Sequence, residues 1–313
     1  MKILIAGELN VDLVLQNYHT FPALGREVLV DDVSLTLGSA SAICAAGLAK
    51  LGDAVIFAGK LGCDSWGDLC FSSLTQLGVD CSLVVREEKI KTGITVSITA
   101  KDRALVTYLG SIAELRASDI GDEDLKKCRH LHVSSFFLQK ALRPDLKSLF
   151  SRAHRFGLTT SLDPGFDPDE QWGDDLFDVL TEVDVFFPNE VELAAISGRN
   201  AEALRSGPTL TIAKLGSQGC RAIGRDLDLL VPSFPVAPID TTGAGDSFNA
   251  GFLHAWLPLD RQLGNDELKE AMRFAAACGA LSTLALGGTA GQPDEQRARE
   301  FISKALAAPG GHS

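Results

Sequence analysis

The sequence lacks the short signatures of several large enzyme classes. It has no GxxxxGK[ST] phosphate loop, no GxSxG elbow, no HExxH pair and no GxGxxG after its first strand-like segment. Those gaps count against a P-loop ATPase, an α/β-hydrolase, a zinc peptidase and a dinucleotide-dependent dehydrogenase. Basic charge is also short. Against 41 Asp and Glu stand 29 Lys and Arg, a formal net charge of −12, where a nucleic-acid partner would call for a basic surface. The seven cysteines are odd in number and show no CxxC, which predicts reduced, mostly buried thiols in a cytoplasmic protein and no zinc site. Long apolar runs are missing as well. The run at 3–6 meets Glu8, Asn10 and Asp12 at once, too short for a signal-peptide core. The stretch 274–286 is broken by Ser282 and Thr283, so no membrane partner is expected. There is no internal repeat, low-complexity tract or Pro-rich linker, and 313 residues suffice for one large domain over 1–313. The last residues, 308–313, read as a frayed tail.

What the sequence does have is a rhythm of short apolar strand, turn and amphipathic helix. Strands are predicted at 2–6, 54–58, 130–134, 158–162, 183–187 and 209–213. Helices are predicted at 40–51, 66–77, 144–156 and 190–197, with two more starting near Asp246 and Asp266. The alternation implies an α/β fold, a mostly parallel sheet with helices on both faces, whose ligands bind at the carboxyl ends of the strands. The stretches 13–37 and 83–109 break the rhythm: apolar and polar residues alternate without a helix between, as in half-exposed antiparallel strands.

The most informative segment is DTTGAGDSFNAGF, beginning at Asp240. Gly243, Ala244 and Gly245 are small enough for consecutive N–H groups to turn toward one anion, and a helix starting there adds its dipole. Asp246 beside such a hole is suited to taking a proton from a hydroxyl that attacks a phosphoryl group. On the core GAGD alone, a capped helix after a glycine turn is an equal reading.

The longer string resembles the C-terminal signature of the ribokinase-like (PfkB) carbohydrate kinases, and other motifs fall in that family's order. The resemblance implies a ribokinase-like three-layer sandwich with a small antiparallel β lid, formed here by the 13–37 and 83–109 stretches. It implies an ATP- and Mg2+-dependent enzyme that phosphorylates a hydroxymethyl group of a sugar, with dimer contacts through the lid. Asp246 becomes the general base, and Gly243, Ala244 and Gly245 the anion hole. Asp12 and Asn10, in GELNVD, are expected to grip sugar hydroxyls. Gly38 and Ser39 occupy the family's first signature, GGxxxN, in which Ser39 replaces the second glycine and Ile43 the sugar-contacting Asn. Asn189 and Glu192 match NxxE, which orients water around Mg2+. Lys214, Gly216 and Gly219 in KLGSQG match the ATP-binding turn. Asp240 and Thr242 match a monovalent-cation site for K+ in relatives.

Substrate identity is open at this stage. Asp167 stands where relatives acting on sugar acids often carry Arg, which favours a neutral sugar or a nucleoside. A nucleoside kinase of the same family could stack the base on Phe136, Phe137 or Tyr108. A non-catalytic sensor that kept the fold is the other alternative, against which the intact GAGD, NxxE and GxxG stand. His130 and His132 share one face of a strand with no third ligand in view, a structural pair rather than a metal site.

Overall fold

Ile3, Leu4, Ile5 and Ala6 are buried on both sides of a strand because helices cover both faces of the sheet they sit in. The computed structural model describes residues 1–99, 103–259 and 264–307; the expected tail at 308–313 lies outside them. In chain order the first elements are β1 (Lys2–Ala6), β2 (Asn10–Gln16), β3 (Asp32–Leu37), α1 (Ala40–Lys50), β4 (Val55–Gly62), α2 (Ser65–Gln76) and β5 (Asp80–Glu87). Then come β6 (Gly93–Thr99), β7 (Arg103–Tyr108), α3 (Asp122–Leu125), β8 (Cys128–Val133), α4 (Leu146–Arg155), β9 (Thr159–Leu162), α5 (Asp174–Leu180) and β10 (Val185–Phe186). The last are α6 (Glu190–Ser206), β11 (Leu210–Lys214), β12 (Cys220–Gly224), β13 (Leu227–Val231), α7 (Ala244–Trp256), α8 (Asn265–Ser282) and α9 (Glu295–Ala307).

The central sheet has nine strands in the order β13-β12-β11-β10-β9-β8-β1-β4-β5. Every pair from β11 to β5 is parallel, and the β12 and β13 pairs are antiparallel. Side-chain alternation divides the core. Ile3, Ile5 and Phe57 face the layer built on α1, α7 and α8, while Leu4, Ala6 and Ile56 face the layer of α4 and α5. The result is the three-layer sandwich expected.

A second sheet of four strands, β3-β2-β6-β7, forms the lid. Its outer pairs are antiparallel and its inner pair, β2 with β6, is parallel. The lid differs from the sequence reading in its bounds. Residues 83–87 belong to β5, which pairs with β4 at the edge of the central sheet. An edge strand is half exposed, so it alternates as a lid strand does. The helix predicted over 190–197 continues to Ser206 as α6, with non-helical backbone at Asn200 (φ −155°, ψ 84°) marking a kink.

Candidate active site

Five parallel strands end in polar groups at one edge: Glu8 after β1, Ser135 after β8, Asp163 after β9, Asn189 after β10 and Lys214 closing β11. Over this edge lies the first turn of α7. Gly243 caps it in the left-handed conformation, φ 72°. A Cβ at Gly243 would stand 2.8 Å from Gly288 Cα and 3.0 Å from Ile43 Cγ2, so glycine is required for conformation and for space. Ala244 and Gly245 follow, and Asp246 sits in the first turn, at the positive end of the helix. The Ala244 N–H reaches the Thr241 carbonyl at 3.3 Å, long enough to be exchanged for an anion. Beneath, Cys44 is fully buried; burial, then the charges of Asp246 and Asp163, push its thiol well up and keep it unreactive.

Lys214 turns inward. Its Nζ lies 2.5 Å from Asp163 Oδ2, which also accepts from Asn249 Nδ2 at 2.6 Å, and Asp163 Oδ1 accepts from the Gly165 N–H at 3.1 Å. Burial opposes the ammonium, yet the carboxylates of Asp163 and Glu192 hold its pKa above the ordinary value. Burial likewise opposes the Asp163 carboxylate, but the charge of Lys214 and the bonds from Lys214 and Asn249 outweigh it and hold its pKa low. Neither Asp163 nor Asn249 was singled out from sequence.

Asn189 and Glu192 form a reciprocal cap on α6. Asn189 Oδ1 accepts the Glu192 N–H at 2.9 Å and Glu192 Oε2 accepts the Asn189 N–H at 2.8 Å. Glu192 is 4% exposed, and burial, then repulsion from Asp163, pushes its carboxyl up to about 7. Two buried acids sharing a single ammonium fit a site that takes a further cation.

Beside Lys214 lies a cavity of about 760 Å3, a volume suited to a small-molecule ligand. Phe234, Pro235, Val236, Ala276, Gly279 and Ala280 line it, together with Lys214 and Gly245. Gly216, at φ 56°, has no atom within 4 Å of where a Cβ would be and opens the cavity, whereas a Cβ on Gly219 would collide with the Val231 carbonyl at 2.0 Å. Gly219 therefore serves the close passage of the chain after β13.

Asp12 stands on β2, a strand of the small sheet. Asn10, 2% exposed, donates its amide Nδ2 to Val11 O at 3.1 Å and to Asp12 Oδ1 at 3.2 Å, which ties it to Asp12. Ser39, with φ 76°, caps α1: its Oγ donates to Glu8 O and accepts the Ala42 N–H at 3.1 Å. Glu8, missed in the sequence because a lone acid after a strand reads as a turn residue, is a buried carboxylate bonded by Ser41, Ser135 and Gln139. Ile43 packs against Gly243 and Gly288.

Other residues are tied into local structure. Asp167 is 4% exposed, and its carboxylate accepts the N–H groups of Asp169, Gln171 and Trp172, which hold it in its own loop. Phe136 and Phe137 are buried against each other and Trp172, and cannot stack on a nucleobase. Asp240 Oδ1 accepts the Thr242 N–H and Oδ2 the Gly287 N–H, both at 2.8 Å, so this acid staples the turn before α7 to the loop at Gly287. His130 and His132 lie in a buried chain running Thr159, His130, Ser161, His132, Ser134, every link at 2.7 or 2.8 Å. Among the described residues no group of His, Cys, Asp and Glu is placed to hold a metal directly. No helix among them is long and apolar enough to cross a membrane.

The chain is 30% identical over 311 residues to an ATP-dependent ribose-1-phosphate kinase of Halopiger xanaduensis, covering 97% of this chain and 99% of that one. It is 29% identical over 286 residues to fructokinase-1 of Zea mays, covering 86% and 88%. The fold superposes on an E. coli protein described as a ribokinase II, in complex with ATP and Mg2+, with TM-score 0.83 and 25% identity over 97% of this chain and 99% of that chain. Residues 1–295 match the pfkB family carbohydrate kinase, and the chain belongs to that family of phosphotransferases with alcohol acceptors.

Proposed function

We propose that this kinase transfers the γ-phosphate of ATP to a hydroxymethyl group of a sugar or sugar-like substrate bound between Asp12 and Asp246. The observation that carries the reading is the start of one helix: Gly245 lines the cavity suited to a nucleotide, while Gly243 packs against Ile43 on the side of Gly38 and Asp12. Asp12, steadied by Asn10 and given room by Gly38, fixes the acceptor. Asp246 takes the hydroxyl proton as the oxygen bonds to Pγ, and the bond from Pγ to the bridging oxygen of ADP breaks. The N–H groups of residues 243–245 take up the charge on the transferred group. Asn189 and Glu192 would hold Mg2+ through water, and the ion would supply positive charge to the ATP phosphates. K+ activation rests on Asp240 and Thr242 alone, and assays in K+ against an organic cation test it.

The lid supports a dimer. Val33, Leu35, Val106 and Tyr108 share one face of its strands and are exposed apolar residues, more than a solvated sheet face carries without a partner. Fructose and ribose 1-phosphate, named by the relatives, join ribose as acceptors to try.

The test is ADP release from ATP and Mg2+ across ribose, fructose, ribose 1-phosphate, sugar acids, sugar alcohols and nucleosides, with Asp246→Asn as control. Turnover that disappears in the variant supports the reading. Silence across the panel with ATP still bound favours a sensor.

A further inference from the structure

Among the described residues lining the nucleotide cavity, Lys214 alone is charged. A lysine closing a strand before a glycine turn commonly reaches into solvent, but this one is folded back. Its side chain is 13% exposed, and Nζ lies 3.4 Å from the position a Cβ on Gly245 would take. The ammonium thus stands over the first turn of α7, where that turn lines the cavity. We propose that Lys214 is a further catalytic residue, which binds the γ-phosphoryl group during transfer, and that Asp163 and Asn249 are positioning residues that aim its ammonium there. The proposal rests on the kinase reading and refines the expectation that Lys214 simply belongs to the ATP-binding turn.

The hydrogen-bond arrangement suits that task. An ammonium has three donors. One is given to Asp163 Oδ2, and Asp163 keeps the donors of Asn249 and Gly165 when the ammonium also serves a phosphate. Asn249 is fully buried, on α7 with Asp246, so the helix that carries the base also carries the brace of the cation. Asp163, Glu192 and Asp246 all act on Lys214, which would leave the edge strongly negative without it. In the transfer the acceptor oxygen bonds to Pγ and its proton passes to Asp246. The electron pair of the breaking Pγ–O bond leaves on ADP. Lys214 keeps its proton and supplies charge only, at the group that ATP has and ADP lacks.

That difference gives the test. Isothermal titration with ATP and with ADP, each with Mg2+ and no acceptor, is carried out on the wild type, Lys214→Met and the double variant Lys214→Met/Asp163→Asn. The double variant also removes the carboxylate bonded to the ammonium, so it guards against misfolding of the single one. Loss of one charge-assisted contact predicts about 10- to 100-fold weaker ATP binding, with ADP changed by less than about threefold. Equal weakening of ATP and ADP in the folded variants would overturn the role of Lys214 and leave the kinase reading standing. A wild type that binds neither nucleotide would overturn both.

Discussion

Gly38 is a glycine because of Asp12: a Cβ at that position would stand 2.0 Å from Asp12 Oδ1 and 2.4 Å from its Cγ. The backbone that leads into α1 passes so close to the carboxylate that it fixes where Asp12 stands. Gly38→Ala must therefore push Asp12 aside. A displacement of about 1 Å costs about 10²-fold in acceptor kcat/KM, while ATP affinity stays at the wild-type level. Steady-state kinetics with an ATP titration decide it, and unchanged acceptor kcat/KM would dissociate Asp12 from the substrate.

Asp246→Asn keeps the shape of the site and removes the proton acceptor. We expect kcat to fall by about 10²–10⁴-fold with little change in either KM. A near-normal kcat would transfer the base role to another group.

Gly243→Ala sets two demands against each other, a left-handed backbone and a Cβ 2.8 Å from Gly288 Cα. The expected cost is about 1–3 kcal/mol of stability, read as a lowered Tm, together with loss of turnover. An active variant of unchanged Tm would show that the loop bearing Gly288 yields easily.

The fold was legible in the sequence because short apolar strands of the central sheet alternate with helix-length segments. Ile3–Ala6 and the helix after Gly38 need no tertiary information to be recognised. Residues 83–87 were misassigned to the lid because the edge of a large sheet and a strand of a small one expose the same alternate side chains. Of the site, the glycine motifs were visible since their residues are consecutive. Asp163 and Asn249 were not: they meet across 86 positions, and each alone is an ordinary polar residue at a strand end or in a helix. Ser39 and Asn10 lay in the right place but serve the backbone and Asp12.

The buried imidazoles predict acid lability. Burial lowers His130 to about 3, with the neighbouring charge of His132 adding to it, and burial lowers His132 to about 4, both from an ordinary 6.5. Unfolded chains bind these protons near pH 6.5 and the folded chain does not. The stability present above pH 6.5 is lost as pH falls toward 4 and 3, on the order of 3 kcal/mol per imidazole. Tm measured from pH 7 to 4 checks this, and His132→Asn should flatten the profile. An equally steep profile in that variant would place the acid sensitivity elsewhere.

On the lid, Leu35→Asp or Val106→Asp should convert a dimer into monomers at micromolar concentration, read by sedimentation velocity. Wild-type sedimentation as a monomer would leave the exposed face without that explanation.

Gly243, Ile43 and Gly288 meet at one point although they come from three distant parts of the chain. None of the three can change volume alone without re-aiming the helix start above them. In a library randomised at these positions, functional sequences should emerge as matched sets, a bulkier side chain at one answered by a smaller one at another. Acceptor specificity at position 43 would then evolve only in step with the phosphoryl site, which ties the enzyme's choice of substrate to its rate.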